Sequence, residues 1–303
     1  MGHLFRMHTL YREIHRAGRE ALFVLLGQHL PSEAFLTDEQ VPYLTVTDTS
    51  LGWEAQILRR FPVRLWINDR LDTDIEHIRY LQAHGIKSVT FDDNGSGAAL
   101  SDLHVAALAP MRGDQPQGAL VLTGTDYLIL PDSIARYRRL RSNCHSLVVS
   151  LGATDTHGVT IKLLPWLRRQ SISATIILGP GFEHHAELAD AGGCQITIKS
   201  AVPSLVAEFA NYDLAITGGG LTAFEAAAAG LPTLTVANEP HEIGHCQYLQ
   251  IIGCSHYSGF RDTADFSILN MMLDIPKMSQ AAIANFSLEG TGRVYQALHT
   301  LIQ

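Results

Sequence analysis

DLAITGGGLTAFEAAAAGLP, residues 213–232, carries the signature of an α/β chain. Residues 214–217 form a short apolar, β-branched run, the pattern of a buried strand. Gly218, Gly219 and Gly220 follow, and residues 221–229 are rich in strong helix formers. Gly230 and Pro232 stop that helix in the expected order. A strand, a turn without side chains and a helix N-terminus expose backbone N–H groups at the positive end of a helix dipole, a ready site for a phosphate. Thr222 adds a hydroxyl in the first turn, and Glu225 lies one helical turn on, where a carboxylate could accept from ribose hydroxyls. A tight turn whose glycines serve only packing is the alternative. Residues 231–237 then make a second buried strand, and Glu239, Pro240, His241, Glu242 and Gln247 supply a polar loop and helix start on which a nucleotide could rest.

The chain has 303 residues, 46% of them hydrophobic, enough for two domains rather than one. With 22 basic against 30 acidic residues, a net charge of −8 argues against a broad nucleic-acid surface. The four cysteines (Cys144, Cys194, Cys246, Cys254) form no CxxC pair, and neither a signal peptide nor a membrane-spanning apolar run occurs. A soluble cytoplasmic protein with reduced thiols, without stable membrane insertion, is expected. Fifteen histidines show no metal-ligand spacing, so no metal and no cofactor are expected.

Upstream of that stretch, residues 4–17 read as a helix with no strand to feed it. Strands are expected at 21–26, 43–46, 64–68, 88–91 and 104–108, helices at 51–60 and 75–84, and a loop over 110–124. A basic helix through Arg141 leads to a linker at Ser142 and Asn143. The second half alternates again: strand 147–151, helix 159–169, strand 175–178, helix 185–191, strand 195–198, helix 202–210. Helices at 245–252, 266–273 and 292–301 close the chain. Such alternation specifies parallel sheets flanked by helices, here two Rossmann-like domains, 1–141 and 142–303, the first lacking its first strand. Ligands then gather at the carboxyl ends of the strands, in a cleft faced by both halves.

Residues 213–247 resemble the nucleotide-binding half of GT-B glycosyltransferases: strand, Gly-rich turn, Thr, Glu, a small-residue helix, Gly-Leu-Pro, strand, and a Gln-bearing helix. They look most like the MurG-type transferases and the UDP-sugar hydrolases of the pseudaminic acid pathway, with the related spore-coat proteins. VSLGATDTHGVTIKLL (149–164), LWINDR (65–70) and VTFDD (89–93) resemble further parts of those hydrolases. Gly2-His3-Leu4-Phe5-Arg6 resembles the end of their Gly-x-Gly-His-x-x-Arg turn. The resemblance implies a GT-B fold and a UDP-sugar substrate. It places Gly219, Gly220, Leu221 and Thr222 on the diphosphate, Glu225 on the ribose, the backbone of Ser200 to Val202 on the uracil, and Gln247 on the sugar or its phosphates. Gly2 and Gly152 would line the substrate. His3 would be the general base, a role suited to a neutral imidazole, with Asp69 the other catalytic candidate unless it merely caps a turn.

Three functions follow. The first is a hydrolase in which water attacks the anomeric carbon of a UDP-activated amino or deoxy sugar and UDP leaves without a metal. A glycosyltransferase with the same donor site and a non-catalytic nucleotide-sugar binder are the alternatives. No basic-apolar membrane patch accompanies Leu4, Phe5, Arg6 and Leu10, which favours the hydrolase.

Overall fold

Parallel strands and helices alternate through the whole chain, in a computed structural model that describes residues 1–108, 115–189, 195–200, 202–270 and 273–303. They fall into two units, His3–Ile129 with Glu289–Gln303, and Leu130–Leu288. The first unit begins with α1 (Gly2–Arg16), β1 (Phe23–Leu26), α2 (Leu30–Asp38), β2 (Tyr43–Val46) and α3 (Ala55–Leu58). It continues through β3 (Leu65–Asn68), α4 (Ile75–Ala83), β4 (Lys87–Phe91), β5 (Leu103–Ala106) and β6 (Leu120–Thr123). β1 and β2 pair in parallel only with each other, while β3-β4-β5-β6 form a separate parallel sheet. No described strand leads into α1. Val24 and Leu44 nevertheless share one apolar cluster with Trp66, Ile78 and Leu81, so the two sheets have a common core.

In the second unit α5 (Ile134–Tyr137) precedes β7 (Leu147–Ser150), α6 (Val159–Arg169), β8 (Ala174–Leu178), α7 (His185–Ala189) and β9 (Ile196–Ser200). Then come α8 (Leu205–Phe209), β10 (Leu214–Gly218), α9 (Leu221–Ala228), β11 (Thr233–Ala237), α10 (Glu242–Ile251), β12 (Ser255–Phe260) and α11 (Ile275–Asn285). The sheet order is β12-β11-β10-β7-β8-β9, all parallel. Side chains alternate between its faces: Leu147, Val149 and Leu151 join the cluster under α6, whereas Val148 joins Ala215, Ile177 and Phe209 on the other side. The closing helix, α12 (Gly290–Leu301), returns to the first unit, where Arg64 Nη2 donates to the Ile302 carbonyl at 3.1 Å.

Several expectations are corrected. α2 lies in a stretch without clear apolar periodicity. A proline at its start and His29 Nδ1, which accepts the Ser32 N–H at 3.3 Å, set its N-terminus. The loop expected over 110–124 contains β6, an edge strand paired on one side only; its residues 110–114 lie outside the described ones. The helix expected at 51–60 shrinks to α3, and that at 266–273 to a 3₁₀ turn, Ser267–Asn270, with 271–272 outside the described residues. β12 and α11 are additional. The end of the helix expected at 185–191 and Cys194 are also outside them, while Cys144, Cys246 and Cys254 are free thiols.

The basic helix expected through Arg141 stops at Tyr137, because the arginines that follow are spent on carbonyl groups. Arg141 is almost completely buried and donates to the carbonyls of Arg139 (2.8 Å), Phe209 (2.9 Å), Tyr212 (3.3 Å) and Ala229. Phe209 ends α8 and Ala229 follows α9, so the cation faces the negative ends of two helices. Burial, then the Arg139 charge, pulls its pKa down to about 9, which leaves it protonated at neutral pH. Arg141→Met keeps much of the volume but strands these carbonyls, and should cost about 3 kcal/mol or more in a urea titration.

Candidate functional site

The chain reverses its direction of travel across the second sheet at β7, which has β8 on one side and β10 on the other. The carboxyl ends of β7 and β10 therefore flank the switch point where open parallel sheets bind ligands. Gly152 follows β7 with a φ of 92°, a conformation that calls for glycine, and a side chain added there would meet nothing within 4 Å. The Gly218–Gly220 turn follows β10 beside it: a Cβ on Gly218 would lie 3.6 Å from the Leu151 carbonyl.

Those glycines answer to packing, not to positive φ. A Cβ on Gly219 would lie 2.6 Å from Cys246 Sγ and 2.8 Å from Glu242 Cβ, and one on Gly218 would lie 2.7 Å from Asn238 Nδ2. α10 thus presses directly on the turn. Of the two helices that leave the switch-point strands, α6 is closed at its N-terminus: the buried Asp155 accepts the N–H groups of Val159 and Thr160, both at 2.9 Å. α9 has no side-chain cap. Its dipole and first N–H groups, from Leu221 and Thr222 onward, have the electrostatic character that suits an anion. Asn238 Oδ1 and Thr217 Oγ1, on either side of the turn, are buried without a hydrogen-bond partner.

Glu225 sits on the first turns of α9, partly exposed, and desolvation pushes its pKa up to about 7. Glu242, in the first turn of α10, reaches the turn itself: its Oε2 accepts the N–H of Asn238 at 2.7 Å and of Gly219 at 3.3 Å. His245 Nδ1 lies 3.0 Å from the Gly219 carbonyl, and burial pushes the Cys246 thiol up to about 12, so it is no nucleophile at neutral pH. Gln247 follows Cys246 on α10. It is exposed on α10, while Glu242, His245 and Cys246 share the helix face that meets the glycines. The helix period, applied to a start at Glu242 rather than at 245, is the signal that distinguishes these faces.

Ser200 ends β9, the edge strand, and is exposed; Val202 packs against the cluster of Phe209 and Tyr212, and Ala201 between them is outside the described residues. Three strand spacings separate β9 from β10, roughly 14 Å. Lys199 pairs with Glu208 at 2.7 Å.

In the first unit the predicted pair comes together. His3 Nδ1 lies 2.7 Å from Asp69 Oδ1, and the His3 side chain is 49% exposed. Gly2, at the start of α1, is exposed. Asp69 caps no helix; Asp74 does that for α4. Instead Arg6, buried on α1, grips Asp69 through both Nε (3.0 Å) and Nη2, and its Nη1 bonds Asp92. Asp92 in turn accepts the Leu108 N–H at 3.0 Å. Burial opposes the ionisation of Asp69, but the Arg6 guanidinium and the His3 hydrogen bond outweigh it and hold the carboxyl below its ordinary value. A carboxylate on Nδ1 fixes the tautomer with Nε2 as the free acceptor, the atom a general base uses.

Among the described residues no group of three or more His, Cys, Asp or Glu side chains is placed to hold a metal, and no helix is long and apolar enough to cross a membrane.

No family model matches the chain. Over its full length the chain has the GT-B fold: MurG of Acinetobacter baumannii superposes with a TM-score of 0.70 at 14% identity, covering 99% of this chain and 96% of that one. HepE of Anabaena, solved with UDP and glucose, gives 0.67 at 12% identity over 99% and 96%. In sequence it is a distant homologue of the spore coat polysaccharide biosynthesis protein SpsG of Bacillus subtilis, 24% identical over 264 residues, 80% of this chain and 75% of SpsG. An uncharacterized protein of Methanocaldococcus jannaschii, MJ1062, is 23% identical over 163 residues, 49% of this chain but only 34% of its own length. The chain thus combines the GT-B fold with a distant sequence relationship to SpsG.

The raised Glu225 pKa has a consequence for the free protein. Between the ordinary 4.5 and about 7 the folded state holds a proton that the unfolded chain has released, so stability falls as pH rises through that window. Relative to wild type, Glu225→Gln should gain nothing near pH 4.5 and up to about 3 kcal/mol by pH 8, read from denaturation at each pH.

Proposed function

We propose that the protein is a nucleotide-sugar hydrolase that releases UDP from a UDP-activated amino or deoxy sugar. The observation that carries this is the His3–Asp69 pair, clamped by Arg6 with Nε2 of the imidazole left free. The diphosphate lies on the uncapped start of α9, at Gly219, Gly220, Leu221 and Thr222, with Glu225 on the ribose hydroxyls. Water attacks the anomeric carbon and gives its proton to His3 Nε2. The bond from that carbon to the diphosphate oxygen breaks with its electron pair going to UDP. Developing charge on the leaving oxygen is met by backbone N–H groups and the helix dipole. Asp69 stabilises the imidazolium that forms. The resemblance to the pseudaminic-pathway hydrolases and the distant SpsG relationship support this reading, and the UDP in the HepE structure supports the choice of nucleotide. A role in making a surface polysaccharide sugar accords with SpsG's own description.

The likeness to MurG favours a second reading, a glycosyltransferase in which an acceptor hydroxyl replaces water. The two are separated by incubating the protein with a panel of UDP-, GDP- and CMP-sugars without acceptor. A hydrolase releases UDP from one UDP-amino sugar, and EDTA leaves the rate unchanged. Turnover only when an acceptor is added supports the transferase, and turnover abolished by EDTA counts against the leaving-group mechanism. His3→Ala should lower the rate about 10²- to 10⁴-fold while UDP still binds. Glu225→Ala should weaken UDP binding by about 1–3 kcal/mol in calorimetry, and unchanged affinity would remove Glu225 from the site.

A further inference from the structure

The Gly219 end of the turn already holds an anion. Glu242 Oε2 accepts two backbone N–H groups there, from Asn238 at 2.7 Å and Gly219 at 3.3 Å, and Oε1 would lie 3.2 Å from a Cβ on Gly220. The carboxyl therefore lies against Gly219 and Gly220, where the diphosphate is assigned. Among the described residues no salt bridge to Glu242 is found, and Glu239 beside it is held by His157 at 2.7 Å and by Arg261 at 3.5 Å. Burial pushes the Glu242 carboxyl above its ordinary pKa, against the N–H groups of Asn238, Glu239 and Gly219, which favour its charged form.

An N–H group directed at one acceptor is unavailable to another, and two anions in contact in a water-poor site repel strongly. We propose that Glu242 is a displaceable internal anion, which occupies the glycine turn in the free protein, leaves it when a nucleotide diphosphate binds, and thereby sets the affinity of the site. The inference rests on the nucleotide reading of the turn. Glu242 is suited to the role because it heads α10: side-chain rotations alone withdraw the carboxylate, and Gly219 and Cys246 stay packed.

Glu242→Gln keeps the size and removes the charge. It should bind UDP and inorganic pyrophosphate at least tenfold more tightly than wild type, with Glu242→Ala shifting affinity in the same direction. Thermal melts establish that each variant is folded. A measurement on the wild-type protein is independent of folding: carbodiimide-driven amine coupling, located by peptide mass spectrometry, should spare Glu242 in the free protein and label it once UDP is added. Affinity unchanged or weakened in both variants, or Glu242 still protected with UDP bound, overturns the displacement and leaves the nucleotide site standing. Failure of wild type and both variants to bind UDP overturns both.

Discussion

The second unit depends on how closely α10 lies against the turn between β10 and α9. Contact at Gly219 leaves no room for a side chain: a single Cβ would collide with both Cys246 and Glu242. This one approach has three results. It seals the apolar side of α9, where Phe224 is fully buried beside His245 and Phe286. It sets Glu242 on the turn's N–H groups. And it leaves the start of α9 with no residue that could cap it, since Gly220 has no side chain to offer. Asp155 shows the alternative at α6, where a buried carboxylate saturates the helix N-terminus permanently. An anion-binding helix start must lack such a residue, and the glycines that packing demands provide that lack.

In the first unit the corresponding role belongs to Arg6. A guanidinium buried on α1 can be tolerated only with full pairing, and it obtains this from Asp69 after β3 and Asp92 after β4. The fork of two donors on Asp69 fixes that carboxylate in position as well as in charge. His3, three residues before Arg6 on the same helix, then meets an oriented acceptor despite its exposure. The buried ion pair thus serves to aim an exposed imidazole at the end of a helix, where a side chain would otherwise be free to rotate.

The α/β alternation was legible because buried parallel strands are continuous apolar runs, and 147–151, 214–217 and 231–237 are of that kind. β12 was not, because it is an edge strand: with one neighbour and an exposed flank, a sequence such as SHYSGF need not be apolar; β6 is apolar, LVLT, but only four residues long and set in a Gly-, Pro- and Gln-bearing stretch. Arg138, Arg139 and Arg141 read as part of a helix by propensity, but tertiary demand for carbonyl partners overrides propensity there. At the site, the glycine turn could be found from spacing, whereas Glu242 stood only within a polar stretch. Its contact with Gly219 joins residues 23 apart, a relation that only the packing of α10 establishes. The His3–Asp69 contact spans 66 residues, and only the resemblance to a motif, not local pattern, brought both residues forward.

Glu225 on α9 and Glu242 on α10 both have carboxyl pKa values raised by burial. Neither stabilises the fold by its charge, since a desolvated carboxylate without a cation costs free energy in the free protein. That cost has a direction. Under the proposed reading, ribose hydroxyls arriving beside Glu225 would give its carboxylate donors, whereas a ligand without them, such as pyrophosphate, would not. Unpaired buried polar groups discriminate more sharply than apolar contact does. Under the proposed nucleotide reading, a turn occupied by Glu242 and a Glu225 carboxyl without donors would favour a ligand that carries ribose hydroxyls and a diphosphate together.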